Sequence, residues 1–189
     1  MHSNGFTVWF TGLPCSGKST LAHMLNEYLE AMNYPAVILD GDEVRQRLTK
    51  GLGFSKQDRD ENIRRIAYVA KLLTSVGGVA ITAAISPYES LRNEARNEIQ
   101  HFIEVYVQCP VDTCITRDVK GHYQKALKGE ISNFTGISDP YDPPSNPEIV
   151  VHTDLETPTE SLSKVIKYLA YNQYLSKFDT MKLAANSSK

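Results

Sequence analysis

The chain has 189 residues, 41% of them hydrophobic, with 20 basic and 22 acidic side chains and a formal net charge of −2 at pH 7. That length suits one compact domain with a core of its own, and the balanced charge excludes the strong positive field that general nucleic-acid binding leaves in a composition. Three irregularly spaced cysteines (Cys15, Cys109, Cys114) exclude a disulfide scaffold or four-thiolate zinc site and fit a reducing cytosol, while no leader and no apolar run near the roughly 20 residues that span a bilayer points to a soluble, unanchored protein.

In chain order, short β-branched runs at 6–10, 36–39, 79–85, 103–107 and 149–151 alternate with helical patterns. That rhythm predicts an α/β fold, a mainly parallel five-stranded sheet flanked by helices in three layers. The first strand runs into Gly12-Leu13-Pro14-Cys15-Ser16-Gly17-Lys18-Ser19, followed by Thr20. This is the Walker A pattern in its required setting, a strand before it and a helix after it. Glycines let backbone amides turn inward around phosphates; Lys18 is placed for the terminal phosphates and the Ser19 hydroxyl for magnesium. A P-loop nucleotide site for ATP with Mg2+ is therefore expected. Cys15 reads as a small filler, with an activated thiol as the alternative.

The second strand ends in Leu39-Asp40-Gly41-Asp42, at the edge where open parallel sheets bind ligands. Asp40 is the candidate magnesium carboxylate and Asp42 the candidate base for an acceptor hydroxyl. The alternative is that Asp40 or Asp42 simply caps a helix beginning near Glu43. No Asn-Lys-x-Asp guanine-reading segment is present, and the third strand runs into Ser86-Pro87-Tyr88 without the acid that motor or transporter ATPases use there. Small-molecule kinases fit this arrangement.

Beyond the acids come Arg45 and Phe54, then a helix expected over 55–76, with Ser55 and Asp58 as its capping pair and Ile63, Ile66, Ala67, Ala70, Leu73 and Val76 on its apolar face. Arg59 and Asn62 share one face near its start. Arginine forks grip phosphate or sulfate, and exposed aromatics stack on bases, although a solvated helix face is the blander reading of each residue taken singly. The stretch 121–147 carries three glycines and four prolines and reads as a lid. Arg117 and Lys120 stand at its start and Phe134 lies within it. A last helix should begin at Thr157-Pro158 with Glu160 closing a capping box. The organisation expected is one kinase domain over 1–176, with a lid at about 117–147 and a flexible tail at 177–189.

Taken together, Leu39-Asp40-Gly41-Asp42 with Arg45, Gly51-Leu52-Gly53-Phe54-Ser55, Asp58-Arg59 with Glu61-Asn62, Ile85-Ser86-Pro87-Tyr88, Arg117-Asp118-Val119-Lys120-Gly121 and Phe134-Thr135-Gly136-Ile137 resemble the adenylylsulfate kinase family from the first strand to about Glu148. The resemblance implies transfer of phosphate from ATP to the 3'-hydroxyl of adenylyl sulfate (APS), giving 3'-phosphoadenylyl sulfate and ADP, in a cytoplasmic homodimer. It also implies that Phe54 and Phe134 sandwich the acceptor adenine, that Arg45, Arg59, Asn62, Ile85, Ser86 and Lys120 line its pocket, and that Arg117 belongs to the nucleotide side. The family's serine corresponding to Ser86 is commonly assigned as a phosphoserine intermediate, but in-line transfer between two bound ligands needs no covalent relay, and binding is the favoured role. Pro14 and Cys15 stand where small residues are usual, and Glu89 where an arginine often follows. Two other functions fit parts of the pattern. One is a kinase for a nucleoside monophosphate or sugar acid, indifferent to sulfate; the other is a regulatory nucleotide binder without turnover, against which the presence of Lys18, Ser19, Asp40 and Asp42 weighs.

Overall fold

The computed structural model describes residues 5–175. Five strands, β1 (Phe6–Thr11), β2 (Ala36–Asp40), β3 (Val79–Ala83), β4 (Phe102–Gln108) and β5 (Ile149–His152), form one sheet in the order β2-β3-β1-β4-β5. Every pairing is parallel, with Phe6 opposite Val79 and Thr7 opposite Phe102 across the central strand. The parallel arrangement requires crossovers, and α1 (Lys18–Ala31), α2 (Gly41–Arg47), α3 (Lys56–Ser75), α4 (Glu89–Glu98), α5 (Val111–Arg117), α6 (His122–Leu127) and α7 (Pro158–Tyr171) lie between or after the strands.

Alternation along β1 explains the three layers. Phe6, Val8 and Phe10 point to one face, where Leu21, Leu25 and Leu29 of α1 and Val165, Ile166 and Leu169 of α7 cover them. Trp9 points to the other, against Ile63, Ile66 and Ala70 of α3 and Leu91 and Ala95 of α4. β1 is buried along its whole length, so the glycine-rich loop at its end is anchored firmly at the sheet's carboxyl edge.

The expected elements are present with two adjustments. β3 stops at Ala83 rather than at residue 85. Pro87 offers no amide to a ladder, and Ser86 turns left-handed at φ 41°, so the chain leaves the sheet before the Ser-Pro-Tyr run. The stretch expected to be an irregular lid holds a helix, α6, too short for periodicity to reveal. The long helix runs Lys56–Ser75, with Ser55 accepting from the Asp58 amide as predicted, but Val76, expected on its apolar face, is the exposed residue that ends it. The tail expected at 177–189 lies outside the described residues.

At α7 the Thr157 side chain accepts from the Glu160 amide and the Glu160 carboxylate accepts from the Thr157 amide, with Pro158 in the first turn. Thr157→Ala should lower stability by about 1 kcal/mol, a fall in Tm of about 2–4 °C for a chain of this size, measured by thermal denaturation. A melt unchanged within 1 °C of wild type (about 0.3 kcal/mol) would mean that the box contributes nothing here.

Candidate active site

β1 delivers the glycine-rich loop and α1 departs from it. Gly12 has φ 151°, and a Cβ there would sit 2.5 Å from the Val107 carbonyl oxygen, so no side chain fits between the loop and β4. Gly17 caps α1 at φ 103°. Cys15 also lies in the left-handed region, at φ 60°, where a glycine would be unstrained. Lys18 is 7% exposed, and its ammonium donates to the carbonyls of Gly12 (2.9 Å) and Leu13 (2.6 Å) and to the Ser16 hydroxyl (3.4 Å). Burial pulls its pKa down to about 8, against the opposing pull of Cys114, Cys15, Asp40 and Asp42.

Ser19 Oγ donates to Asp40 Oδ2 at 2.7 Å, and Asp40 Oδ1 accepts from the Asp42 amide at 2.9 Å. Asp40 is therefore the cap of α2, which starts at Gly41. Of the two acids offered as a helix cap, Asp40 is the one that caps and Asp42 is not, because the helix begins at Gly41, two residues before Glu43, and takes its cap from the strand end. The Asp42 side chain, 65% exposed, instead meets the Lys120 ammonium across the cavity mouth, and that hydrogen bond holds the Lys120 pKa above its ordinary value. A hydroxyl beside a carboxylate at the phosphate loop is a hard-oxygen pair of the kind Mg2+ takes alongside phosphate oxygens and water.

Lys18, Ser19, Asp40, Asp42, Arg45, Phe54, Arg59, Asn62, Ile85, Ser86, Arg117, Lys120 and Phe134 all line one cavity of about 980 Å3, as do Pro14, Cys15, Gly17 and Thr20. Gly12, Leu13 and Ser16 of the same loop do not line it. Phe54 is exposed, with the Arg45 guanidinium 4.5 Å from its ring centre. Phe134 packs edge-on against Tyr123 at 4.9 Å, and the Tyr123 hydroxyl donates to the Pro14 carbonyl, so this aromatic is braced on the phosphate loop. Asn62 is buried and accepts from the Thr49 hydroxyl at 2.7 Å.

Several side chains are committed to the protein itself. Ser86 is 1% exposed; its hydroxyl accepts from the Trp9 indole (3.1 Å) and donates to Thr11 (3.0 Å). Arg117 donates to Thr153 Oγ1 (3.2 Å) and to the Thr153 carbonyl (2.6 Å), while Thr153 donates to the Ser16 carbonyl (2.8 Å). Thr153 and Glu156 line the cavity and escaped sequence reasoning. Their position just past the last strand, on the ligand-binding edge, was the available signal. Glu89 accepts from the Ser145 amide (2.8 Å) and hydroxyl (2.6 Å), pinning the segment that precedes β5 to the start of α4.

The Adenylylsulphate kinase family model matches residues 4–152. The adenylyl-sulfate kinase of Rippkaea orientalis is 53% identical over 94% of this chain and 98% of its own. A probable bifunctional SAT/APS kinase 2 of Sorangium cellulosum is 58% identical over 88% of this chain, which spans only 29% of that longer protein. The structure of the Mycobacterium tuberculosis APS kinase CysC in complex with AMPPNP and APS superposes with a TM-score of 0.85 at 42% identity, covering 88% of this chain and 98% of that one.

Proposed function

The chain belongs to the adenylylsulfate kinase family, and we propose that it transfers the terminal phosphoryl group of ATP to the 3'-hydroxyl of adenylyl sulfate. The observation that carries this reading is that the phosphate loop, two strand-end carboxylates and two aromatics from separate segments line a single cavity, large enough at about 980 Å3 for two nucleotides side by side. Phosphoryl transfer needs positioning and charge stabilisation more than covalent chemistry. Lys18 supplies a buried positive charge for the terminal phosphates. Ser19 and Asp40 would hold magnesium, which when bound neutralises charge on the phosphate oxygens. Asp42 is the carboxylate free to accept the 3'-hydroxyl proton, with Lys120 as its counter-ion. Phe54 and Phe134 take the acceptor adenine between them. The inward-turned Ser86 hydroxyl supports a positioning role for this residue over a phosphoserine relay.

Residues 117–147 act as the lid, the working form is a homodimer, and the compartment is the cytoplasm, with which the free thiols of Cys15, Cys109 and Cys114 agree. Among the described residues no helix is long and apolar enough to cross a membrane. Light scattering on a sizing column checks the dimer, and a monomeric mass at assay concentration would remove it from the proposal.

The deciding assay follows ADP release from ATP and magnesium with adenylyl sulfate, beside AMP and gluconate, with Asp42→Ala as the control for contaminating kinase. Turnover is expected with adenylyl sulfate and not with the other two. Equal turnover with AMP or gluconate would overturn the acceptor assignment, and ATP binding without any turnover would favour a regulatory role.

A further inference from the structure

Arg59, on the first turn of α3, is 7% exposed although its guanidinium reaches the wall of the cavity. All three of its nitrogens are spent on the chain. Nε donates to the Phe54 carbonyl at 3.0 Å, one terminal nitrogen donates to Thr135 Oγ1 at 2.5 Å, and the other donates to the Asn133 carbonyl. Asp139 stands 3.9 Å from the same group and balances its charge, itself accepting from the Tyr88 hydroxyl at 3.0 Å.

The identity of these acceptors matters. One is the backbone of Phe54, and the other two belong to the residues on either side of Phe134. The lid loop is closed on itself, with Phe134 N donating to Ser138 Oγ (3.0 Å) and Gly136 N to the Asp139 carbonyl (2.8 Å). The turn is thus held together by its own hydrogen bonds, and Arg59 of α3 bonds to it on both sides of Phe134. A guanidinium is planar and rigid, so donors anchored on both sides fix a distance that a flexible ammonium would not.

We propose that Arg59 is a positioning residue that sets the gap between Phe54 and Phe134 for a planar purine, and that it does not itself hold the acceptor's anionic groups. This rests on the reading that these two aromatics hold the acceptor adenine. It assigns recognition of the base to a brace outside the stack and leaves the anion to the more open cations, Arg45 and Lys120.

The test is steady-state kinetics on Arg59→Ala, Arg59→Lys, Thr135→Val, Phe54→Ala and the Arg59→Ala/Phe54→Ala double variant, with adenosine as a competitive inhibitor that carries no anion. Loss of the brace should raise KM for adenylyl sulfate by about tenfold to a hundredfold, the scale of a charge-assisted hydrogen bond, with kcat and the KM for ATP within about threefold. Lysine should not rescue. The double variant should be no worse than Phe54→Ala alone, because both remove the same stack. The inhibition constant of adenosine should rise by the same factor as KM, and Thr135→Val should raise KM by about threefold to tenfold. Rescue by lysine, additive losses in the double variant, or unchanged adenosine inhibition would each overturn the proposal in favour of a direct anion contact. If Arg59→Ala does not fold, Arg59→Lys and Thr135→Val decide. A silent Phe54→Ala marks the different failure, that of the adenine reading, and takes the brace with it.

Discussion

Asp42→Asn should lower kcat with adenylyl sulfate by about 10²–10⁴-fold while ATP affinity stays within about threefold. The two strand-end acids are not equivalent. Asp40 spends one oxygen on the Asp42 amide and the other on Ser19, which ties it to the helix cap and the phosphate loop. Asp42 has its carboxylate out in the cavity, with Lys120 as its partner. Asparagine keeps the shape and the helical turn and loses the capacity to take a proton. The Asp42–Lys120 pair is largely solvent-exposed, so breaking it should leave the melting temperature nearly unchanged. Loss of turnover with an unaltered melt and intact ATP binding by calorimetry is thus the pattern that separates chemistry from folding. A kcat within tenfold of wild type would remove Asp42 as the base. Asp40→Asn, by contrast, should weaken magnesium-dependent nucleotide binding as well as turnover.

How much the sequence could disclose depends on the range of the interactions involved. The phosphate loop was legible because its spacing is local and its setting is set by neighbouring hydrophobic periodicity. The caps at Ser55 and Thr157 were legible for the same reason, since each contact spans three residues. The parallel character of the sheet was legible in β-branched runs separated by helical patterns. The roles of Arg59, Arg117 and Ser86 were not, because their partners are remote. Arg59 meets residues more than 70 positions away, Arg117 meets Thr153, and the Ser86 hydroxyl is turned inward by Trp9 of β1, 77 positions away. Sequence placed each of them at the cavity and could not show which way its polar atoms point. α6 was missed because six residues, with Tyr123 and Ala126 as the buried pair, carry too little periodicity to distinguish a turn of helix from a loop. Of the two acids that could cap the next helix, Asp40 does so and Asp42 does not, and the sequence could not choose between them. A glycine between two acids gave no sign that the helix would begin on the glycine itself.

Lys18 should give the other large effect, and its burial makes that effect pH-dependent. Lys18→Ala should cost about 10²–10³-fold in kcat/KM for ATP, the scale of removing one preorganised donor from a developing anion. In the wild-type protein desolvation pulls the ammonium down to about 8. Phosphates favour the charged form, so the pKa must be higher with nucleotide bound, and binding above pH 8 must take up a proton. Affinity is therefore full below the free pKa and falls as pH rises from about 8 toward the bound value, by at most about tenfold per unit. The phosphates do not titrate in this window, with a second pKa of about 6. Calorimetry at pH 7, 8 and 9, in buffers of different ionisation enthalpy, should show both the falling affinity and a buffer-dependent heat. Lys18→Arg should abolish both, since a guanidinium stays charged throughout. A flat affinity between pH 7 and 9 would mean that the loop carbonyls of Gly12 and Leu13 hold the ammonium charged despite its burial, so that nucleotide binding draws on a charge already in place.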